Sequence, residues 1–429
     1  MKILFVTDKY YPKPLANAVC VQSVIDCLME QGVKVDVLAF KDSGIDLPKS
    51  FHGARVEGIV PSIEFRLFYY GRSGHHRTLR KAASVAGSVL SKFKKLIYLP
   101  WFPMNSLIFP HRLKNRISRL YEENCYDAVV TAMAPFDGAM AGFLFSKEHP
   151  ETNWIVYALD TIENKSFPFL PRILVEGRFW FSRFVKQSDL CIVMRSRMDW
   201  YKSRGYCTMA KNLQVSDIPL LIKKRGVVTA ESYDFGDGDE HWVYAGSLNP
   251  PHYRYDDLIR YFKSLPRDKN RVLHFYSGGK GFEPLKAIAA ASDGTIRCHD
   301  FVSHGELERI LKAADVLVSM KYSDQISAKI FEYMSYGKPV LHVSGTDSDP
   351  NIRYLFRYGR GLVLHSEDPE SLNEEKLATW VRCGCNTVEE SDEKQIEETF
   401  IENTPEYTCQ MILNFLNQAP KGMSEHDQN

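Results

Sequence analysis

The stretch SDQISAKIFEYMSYGKPVL, residues 323–341, predicts a short helix that is followed at once by a strand. Its apolar side chains recur at helical spacing and indicate a helix that is buried on one side: Ile330, Phe331 and Met334. Gly337 and Pro339 predict the end of this helix and the beginning of a strand in PVLHV. The stretch therefore indicates an α/β fold.

Lys329 and Glu332 lie three residues apart in this helix, so they share a face. One interpretation is an exposed ion pair, which contributes little to stability. The other is that Lys329 and the helix N-terminus bind a diphosphate, while Glu332 accepts hydrogen bonds from ribose hydroxyls. Asp324 or Ser327 is expected to cap the helix start. The stretch by itself leaves both interpretations open.

Length and composition predict an ordinary globular protein of two domains. The chain has 429 residues, 44% of them hydrophobic and 25% charged, and its net charge of +1 indicates no nucleic-acid partner. The nine cysteines include no C-x-x-C pair, which favours reduced thiols in a cytoplasm. The short apolar run at the N-terminus is not typical of a signal peptide, and no run is long enough for a membrane span. We therefore expect a protein that is neither exported nor transmembrane.

One segment, residues 65–121, contains basic residues but no Asp or Glu. Within it, residues 77–102 combine bases with an apolar helical stripe and then with aromatic residues at Tyr98, Trp101 and Phe102. The stripe consists of Leu79, Val85, Val89, Leu90, Phe93, Leu96 and Ile97. This pattern predicts a helix that binds an anionic membrane surface. The alternative is that the stripe belongs to the protein core.

Apolar runs alternate with helical patterns in both halves of the chain, which predicts two facing doubly wound Rossmann-like domains. The first half has the runs KILFVT, VKVDVLAF, DAVVTAM, TNWIVYAL and LCIVM, and the second has WVYAGSL, RVLHFYSGG, TIRCHDFV, ADVLVSM and PVLHVSG. The predicted parts are a first domain over 1–215, an acidic linker over 216–240, a second domain over 241–395, a C-terminal helix over 396–420 that returns to the first domain, and a disordered tail over 421–429.

The tandem segments HDFVSHGELERILKAADVLVSM and SAKIFEYMSYGKPVL resemble the retaining glycosyltransferases of the GT-B fold, of the bacterial group 1 or family-four type. The resemblance extends over most of the chain through YYPKP, WVYAGSL and FYSGG. It implies that the first domain binds the acceptor and that the second binds a nucleotide-sugar donor.

The family's donor motif has two Glu residues separated by seven positions, and this chain has Asp324 and Glu332 there. The resemblance implies that Glu332 holds the ribose and that Asp324 lies near the donor sugar hydroxyls. It also implies that the backbone amides of Gln325, Ile326 and Ser327 contact the diphosphate.

The family usually has an Arg and a Lys after the first strand of the donor domain, whereas the loop GSLNPPHYRYDD has only Arg254. Arg254 and Lys329 are therefore expected to share the diphosphate. Further donor contacts implied by the resemblance are Gly246, Ser277, Gly278, Phe301 and Val302.

On the acceptor side the resemblance points to Asn17 and Asp160, although Asp160 could equally be a helix-capping carboxylate. The expected catalytic residues are Asp324, Asp160 and Lys329. No Asp-x-Asp metal signature stands at a likely site, and DGDE lies in the predicted linker, so no metal ion and no cofactor besides the donor is expected.

The expected function is transfer of a hexosyl unit, with retention, from a nucleoside diphosphate sugar to a glycan or lipid-linked acceptor. Cell-surface polysaccharide or glycolipid synthesis at the cytoplasmic face of a bacterial membrane fits this expectation. The alternatives are a nucleotide-sugar 2-epimerase of the same fold and a non-catalytic subunit that binds a nucleotide sugar.

Overall fold

The protein, a computed structural model, divides into two compact units. Unit 1 comprises Met1–Pro219 and Pro405–Asn429, and unit 2 comprises Leu220–Thr404. The structure describes residues 1–11, 16–42, 44–61, 66–67, 70–71, 76–97, 102, 106–133, 136–161, 177–221, 233–237, 239–266, 268–323, 326–383 and 391–418. Residues 222–232 and 238 of the predicted linker, and all of the predicted tail, lie outside these residues.

Unit 1 is built on an eight-stranded sheet of order β3-β4-β2-β1-β5-β6-β7-β8. Only β3 and β4 pair antiparallel, and the other neighbours are parallel. The strands are β1 (Lys2–Thr7), β2 (Lys34–Phe40), β3 (Ser50–Phe51), β4 (Ala54–Ile59), β5 (Ala128–Met133), β6 (Asn153–Ala158), β7 (Leu190–Met194) and β8 (Leu213–Ser216).

Helices connect these strands and bury their apolar faces against the sheet. They are α1 (Ala16–Glu30), α2 (Arg77–Ile97), α3 (Ile108–Asn124), α4 (Phe136–Glu148), α5 (Arg178–Gln187), α6 (Met198–Ser203) and α7 (Tyr206–Met209). The exception is α2, on which five large apolar side chains stay exposed. The central strands β1, β5 and β6 are buried on both faces, as their continuous apolar sequences require.

Unit 2 contains a six-stranded sheet of order β11-β10-β9-β12-β13-β14, parallel throughout. The strands are β9 (Glu240–Ser247), β10 (Arg271–Gly278), β11 (Ile296–His299), β12 (Val316–Lys321), β13 (Val340–Ser344) and β14 (Gly361–His365). The helices are α8 (Asp256–Ser264), α9 (Phe282–Ala290), α10 (His304–Ala313), α11 (Lys329–Ser335), α12 (Asn351–Tyr358), α13 (Glu370–Arg382) and α14 (Ser391–Thr399). Two parallel sheets flanked by helices confirm the doubly wound α/β fold of both units.

The C-terminal segment differs from the single returning helix expected over 396–420. Helix α14 ends at Thr399, and the buried Phe400 lies beside Tyr354 of unit 2 with 6.5 Å between ring centroids. The return to unit 1 begins only at α15 (Pro405–Gln418), whose Ile412 is fully buried in the unit 1 core. The boundary shifts because Phe400 belongs to the core of unit 2.

Among the described residues, none of the helices combines the length and the hydropathy that a membrane span requires.

Candidate functional site

The strand order of unit 2 creates a break in the chain path between β9 and β12. Strand β9 pairs with its sequence neighbour β10 on one side and with β12 on the other. In open parallel sheets, ligands bind beyond the carboxyl ends of the strands at such a switch point. Here those ends carry Gly246 on β9 and Lys321 on β12.

Helix α11 is fixed against the end of β9. The hydroxyl of the buried Tyr333 accepts a hydrogen bond from the backbone N–H of Ala245 at 3.1 Å. One turn earlier, the side chain of Lys329 extends over Gly246, where a Cβ atom would lie only 1.3 Å from Lys329 Nζ. The φ of Gly246 is +148°, in the region that favours glycine. Gly246 therefore leaves the space that the Lys329 ammonium occupies.

A second ammonium group lies at the same strand ends. Lys321 is only 3% exposed, and its Nζ donates a hydrogen bond of 2.8 Å to the hydroxyl of Tyr253. The Nζ of Lys329 lies 5.1 Å from the ring centroid of Tyr244 and 5.9 Å from that of Tyr253. Tyr253 thus adjoins both lysines. We call Lys321 and Lys329 the lysine pair.

The charge of the lysine pair is poorly compensated. Burial lowers the pKa of Lys329 to about 8, a shift that the Glu332 carboxylate opposes and the Lys321 ammonium increases. Among the residues that the structure describes, no carboxylate forms an ion pair with either ammonium group. Like charges at one buried and one half-buried lysine are costly unless an anion joins them. The geometry therefore suits a ligand with negative charge.

Glu332 lies in the first turn of α11, as Lys329 does. Its carboxylate is half-buried and accepts a hydrogen bond from the hydroxyl of Tyr336 at 3.3 Å. The structure brings Lys329, Glu332 and Gly246 together. Lys329 and Glu332 share one face of α11, as their spacing in the sequence predicted.

Comparison with known proteins finds a family model that matches the region around this site. Residues 239–379 match the family model described as Glycosyl transferases group 1. The resemblance to group 1 glycosyltransferases is thus confirmed. No curated protein matches the chain by sequence. The matched residues include β9, β12 and α11, so they carry the lysine pair and Glu332.

Solved structures extend the likeness to nearly the whole chain. A glycosyltransferase from Rickettsia africae is 10% identical, with a TM-score of 0.61 over 97% of this chain and 98% of that one. The lipopolysaccharide outer core galactosyltransferase WaaB is 13% identical, with a TM-score of 0.57 over 97% and 99%. A putative UDP-N-acetylglucosamine 2-epimerase from Listeria monocytogenes is 12% identical, with a TM-score of 0.54 over 99% of each chain. At such identities these structures establish the GT-B fold alone.

Two donor contacts implied by the group 1 resemblance are engaged inside the protein. The buried Ser277 hydroxyl donates to the carbonyl of Gly246 at 2.5 Å, so it supports the end of β9. The backbone N–H of Ser327 donates to Asn351 Oδ1 at 2.8 Å and is not available to a diphosphate in this conformation. Helix α11 begins at Lys329 without a side-chain cap, so the expected cap by Ser327 is wrong.

The end of β10 carries a further pair of implied residues. The ring of Phe301 covers Gly278, where a Cβ atom would lie 2.5 Å from Phe301 Cε2. Phe301 is 62% exposed and Val302 is half-buried. Gly278 and Phe301 therefore present a flat apolar surface beyond β10.

Arg254 is held by neighbours other than the lysine pair. Its guanidinium lies 4.4 Å from the ring centroid of Tyr322, and Nη2 lies 3.9 Å from Asp257 Oδ2. Tyr322 donates to the same Asp257 oxygen at 2.6 Å. Arg254 is half-exposed and its charge is partly satisfied, in contrast to that of Lys321.

The remaining predicted residues are placed as follows. Asp324 and Gln325 lie outside the described residues, and Ile326 is half-buried before α11. In unit 1, Asn17 is in the first turn of α1, and Asp160 follows β6 with its carboxylate exposed. Asp160 Oδ1 accepts from the backbone N–H of Thr161 at 2.8 Å and lies 3.7 Å from Arg197 Nη2. These contacts and the exposed side chain leave both a capping role and a chemical role open for Asp160.

The basic helix predicted over 77–102 corresponds to α2. Five of its apolar side chains are exposed, among them Val85 at 63% and Phe93 at 58%; the others are Leu79, Val89 and Ile97. The alternative of a core stripe is wrong for these five residues. Phe102 differs, because it packs against the core of unit 1, while Tyr98 and Trp101 lie outside the described residues.

Sequence reasoning missed Lys321 and Tyr253. Lys321 was visible only as a base that ends the apolar run VLVSM, and nothing local connects it with Lys329. Their proximity depends on the pairing of β12 with β9, which is a long-range property of the sheet. No group of three potential metal ligands occurs in the part of the chain that the structure describes.

Proposed function

We propose that the protein is a retaining glycosyltransferase that transfers a hexosyl unit from a nucleoside diphosphate sugar to a glycan or lipid-linked acceptor. The observation that carries this proposal is the lysine pair at the β9/β12 switch point, inside the region that matches the group 1 family model. A diphosphate supplies the negative charge that would compensate the two ammonium groups.

The proposed reaction breaks the bond between the anomeric carbon and the diphosphate oxygen. The acceptor hydroxyl forms its new bond on the same face, and its proton passes to the departing diphosphate, so configuration is retained. Charge develops on that diphosphate in the transition state. Lys329 and Lys321 are fixed next to it in a partly dry site, where such stabilisation is strong. We propose that this arrangement needs no metal ion, so a chelator should leave the rate unchanged.

The other residues receive roles in keeping with their positions. Glu332 accepts hydrogen bonds from ribose hydroxyls, because its half-buried carboxylate stands on the same turn as Lys329. Asp324 contacts the donor sugar, and Asp160 and Asn17 contact the acceptor. Phe301 offers an exposed ring to the nucleobase, and Gly278 leaves room for that ring to lie against the end of β10.

A ligand panel followed by a product analysis tests the proposal. UDP, GDP, ADP and dTDP are first compared by thermal shift, because a ligand that binds only the folded state raises Tm. Nucleotide sugars that contain the nucleoside diphosphate found to bind are then incubated with the protein. NMR reports the anomeric configuration of the product. Stabilisation by one nucleotide and a retained anomeric configuration are expected. No stabilisation, an epimerised donor, or binding without turnover would each contradict transfer.

We also propose that α2 binds the anionic cytoplasmic face of a membrane and brings the protein to a lipid-linked acceptor. Its exposed apolar side chains stand on the same helix as the exposed bases Arg80, Lys81 and Lys92. Apolar insertion combined with basic flanks is the chemistry of an interfacial helix. The protein should co-sediment with vesicles that contain phosphatidylglycerol and not with phosphatidylcholine vesicles. Co-sedimentation with neither would remove α2 from membrane binding.

A further inference from the structure

Asp349, in the loop after β13, is a buried carboxylate with no described basic side chain other than His342 beside it. It is 3% exposed. Its Oδ2 accepts from His342 Nε2 at 2.9 Å and from the hydroxyl of Ser344 at 3.1 Å. Its Oδ1 accepts from the backbone N–H and from Nδ2 of Asn351, at 2.8 and 2.5 Å. These donors compensate the cost of burying the carboxylate.

Asp349 determines how the side chain of Asn351 is oriented. A carboxylate can only accept hydrogen bonds, so the Asn351 amide must direct its NH₂ group towards Asp349. The carbonyl Oδ1 of Asn351 then faces the other way, where it accepts the backbone N–H of Ser327 at 2.8 Å. Asn351 is fully buried, so water does not replace either bond.

The bond to Ser327 lies two residues before Lys329. Helix α11 begins at Lys329 and has no side-chain cap, so the Asn351 carbonyl holds the chain where it enters the helix. On the other side of Lys329, the hydroxyl of Tyr333 is bonded to Ala245 N. The backbone that carries Lys329 is therefore tied down on both sides.

We propose that Asn351, oriented by Asp349, is a positioning residue that holds Lys329 over Gly246 for contact with the diphosphate. The inference rests on the proposed function and deepens it, because it assigns the support of Lys329 to the start of α12 and to the loop before that helix. Asn351 itself does not touch the ligand in this account.

A double-mutant cycle tests this role with inorganic pyrophosphate as the probe, since pyrophosphate needs no knowledge of the nucleobase. Asn351→Leu removes both hydrogen bonds of the side-chain amide, while leucine has a volume similar to that of asparagine. The variant should bind pyrophosphate about tenfold more weakly in calorimetry. In a Lys329→Met background the same change should have less than about a twofold effect, because the two residues act through one contact.

Asn373→Leu is the matched control. Asn373 is also fully buried in unit 2, and its Nδ2 donates to Tyr261 and to the carbonyl of His365 at 2.9 and 2.7 Å. Its loss should lower Tm as the loss of Asn351 does, but leave pyrophosphate affinity within about twofold of the wild type. Equal losses of affinity for both variants would overturn the positioning role.

The outcomes separate the inference from the function. Binding that depends on Lys329 but not on Asn351 overturns the inference alone. No binding of pyrophosphate by the wild-type protein overturns both. If Asn351→Leu does not fold, Asn351→Asp replaces it: this variant keeps the acceptor for Ser327 but opposes two carboxylates. Because the second carboxylate repels Asp349, this variant should weaken pyrophosphate binding in the wild-type background but not further in the Lys329→Met background. Wild-type affinity of Asn351→Asp for pyrophosphate contradicts the proposal.

Discussion

Two regions of the molecule concentrate positive charge, and they differ in how they hold it. The lysine pair is enclosed at the ends of β9 and β12, with Lys321 almost fully buried and Lys329 packed over Gly246. On α2, the bases Arg80, Lys81 and Lys92 are exposed beside exposed apolar side chains. Buried charges are few, costly and fixed in geometry, so each should matter individually. Exposed charges are screened by salt and act additively, so none should be indispensable.

The largest effect is expected from Gly246→Ala, which should abolish the lysine pair without removing a charge. The added Cβ would overlap Lys329 Nζ, and the φ of +148° disfavours alanine. Loss of a charge-assisted contact of about 1.5–3 kcal/mol corresponds to roughly 10- to 100-fold weaker binding. Calorimetry with the nucleoside diphosphate that binds the wild type measures this loss.

Gly305→Ala is the control for that substitution, because a Cβ at Gly305 meets no atom within 4 Å. It should bind the nucleoside diphosphate like the wild type. If Gly246→Ala also binds normally, Lys329 does not act from its position over Gly246.

A smaller effect, about tenfold, is expected from Lys321→Met, which keeps much of the buried volume and removes one charge. The substitution should also raise the pKa of Lys329, because the Lys321 ammonium contributes to its lowering. Nucleoside diphosphate affinity measured against pH should therefore start to fall at a higher pH than in the wild type. An unchanged profile would mean that the two lysines do not interact.

The wild-type pH profile separates the two regions. The pKa of Lys329 is about 8, so this group loses its charge as pH rises through 8. Diphosphate affinity should be full below pH 8 and fall by up to about tenfold per pH unit above it. Binding of α2 to anionic vesicles should change little from pH 7 to pH 9, because guanidinium groups such as that of Arg80 stay charged. A parallel decline of both would contradict the distinction.

The smallest effect is expected from Lys92→Gln on α2. One exposed base near an anionic surface contributes about 1 kcal/mol, or about fivefold in vesicle affinity. Replacing the exposed Val85, Val89 and Phe93 by Ser should release the protein from vesicles altogether. Both variants should bind nucleoside diphosphate normally, and a loss there would show that α2 serves the donor site.

The sequence predicted most of the strands but not the details of the site. Runs such as VKVDVLAF and ADVLVSM form the strands that they predict, because strands buried on both faces need continuous apolar sequence. The strands β3, β4, β8 and β14 were missed, since they are only partly buried and carry a weaker apolar pattern.

Glu332 and Lys329 were predictable because their relation is local to one helical turn. Ser327 was assigned to the ligand, yet its amide is taken by Asn351, which lies 24 residues further along the chain. Lys321 reaches Lys329 only through the strand order of the sheet. Contacts between distant segments are set by tertiary packing, and a single sequence does not display them.

The central claim is that Lys329 and Lys321 bind a diphosphate, and a comparison of two ligands tests it most directly. Calorimetry should be run with the nucleoside diphosphate that binds and with its unphosphorylated nucleoside, on the wild type and on Lys329→Met. We predict that the variant loses roughly 10- to 100-fold in affinity for the diphosphate and less than about twofold for the nucleoside. Equal losses for both ligands, or no loss for either, would contradict the account.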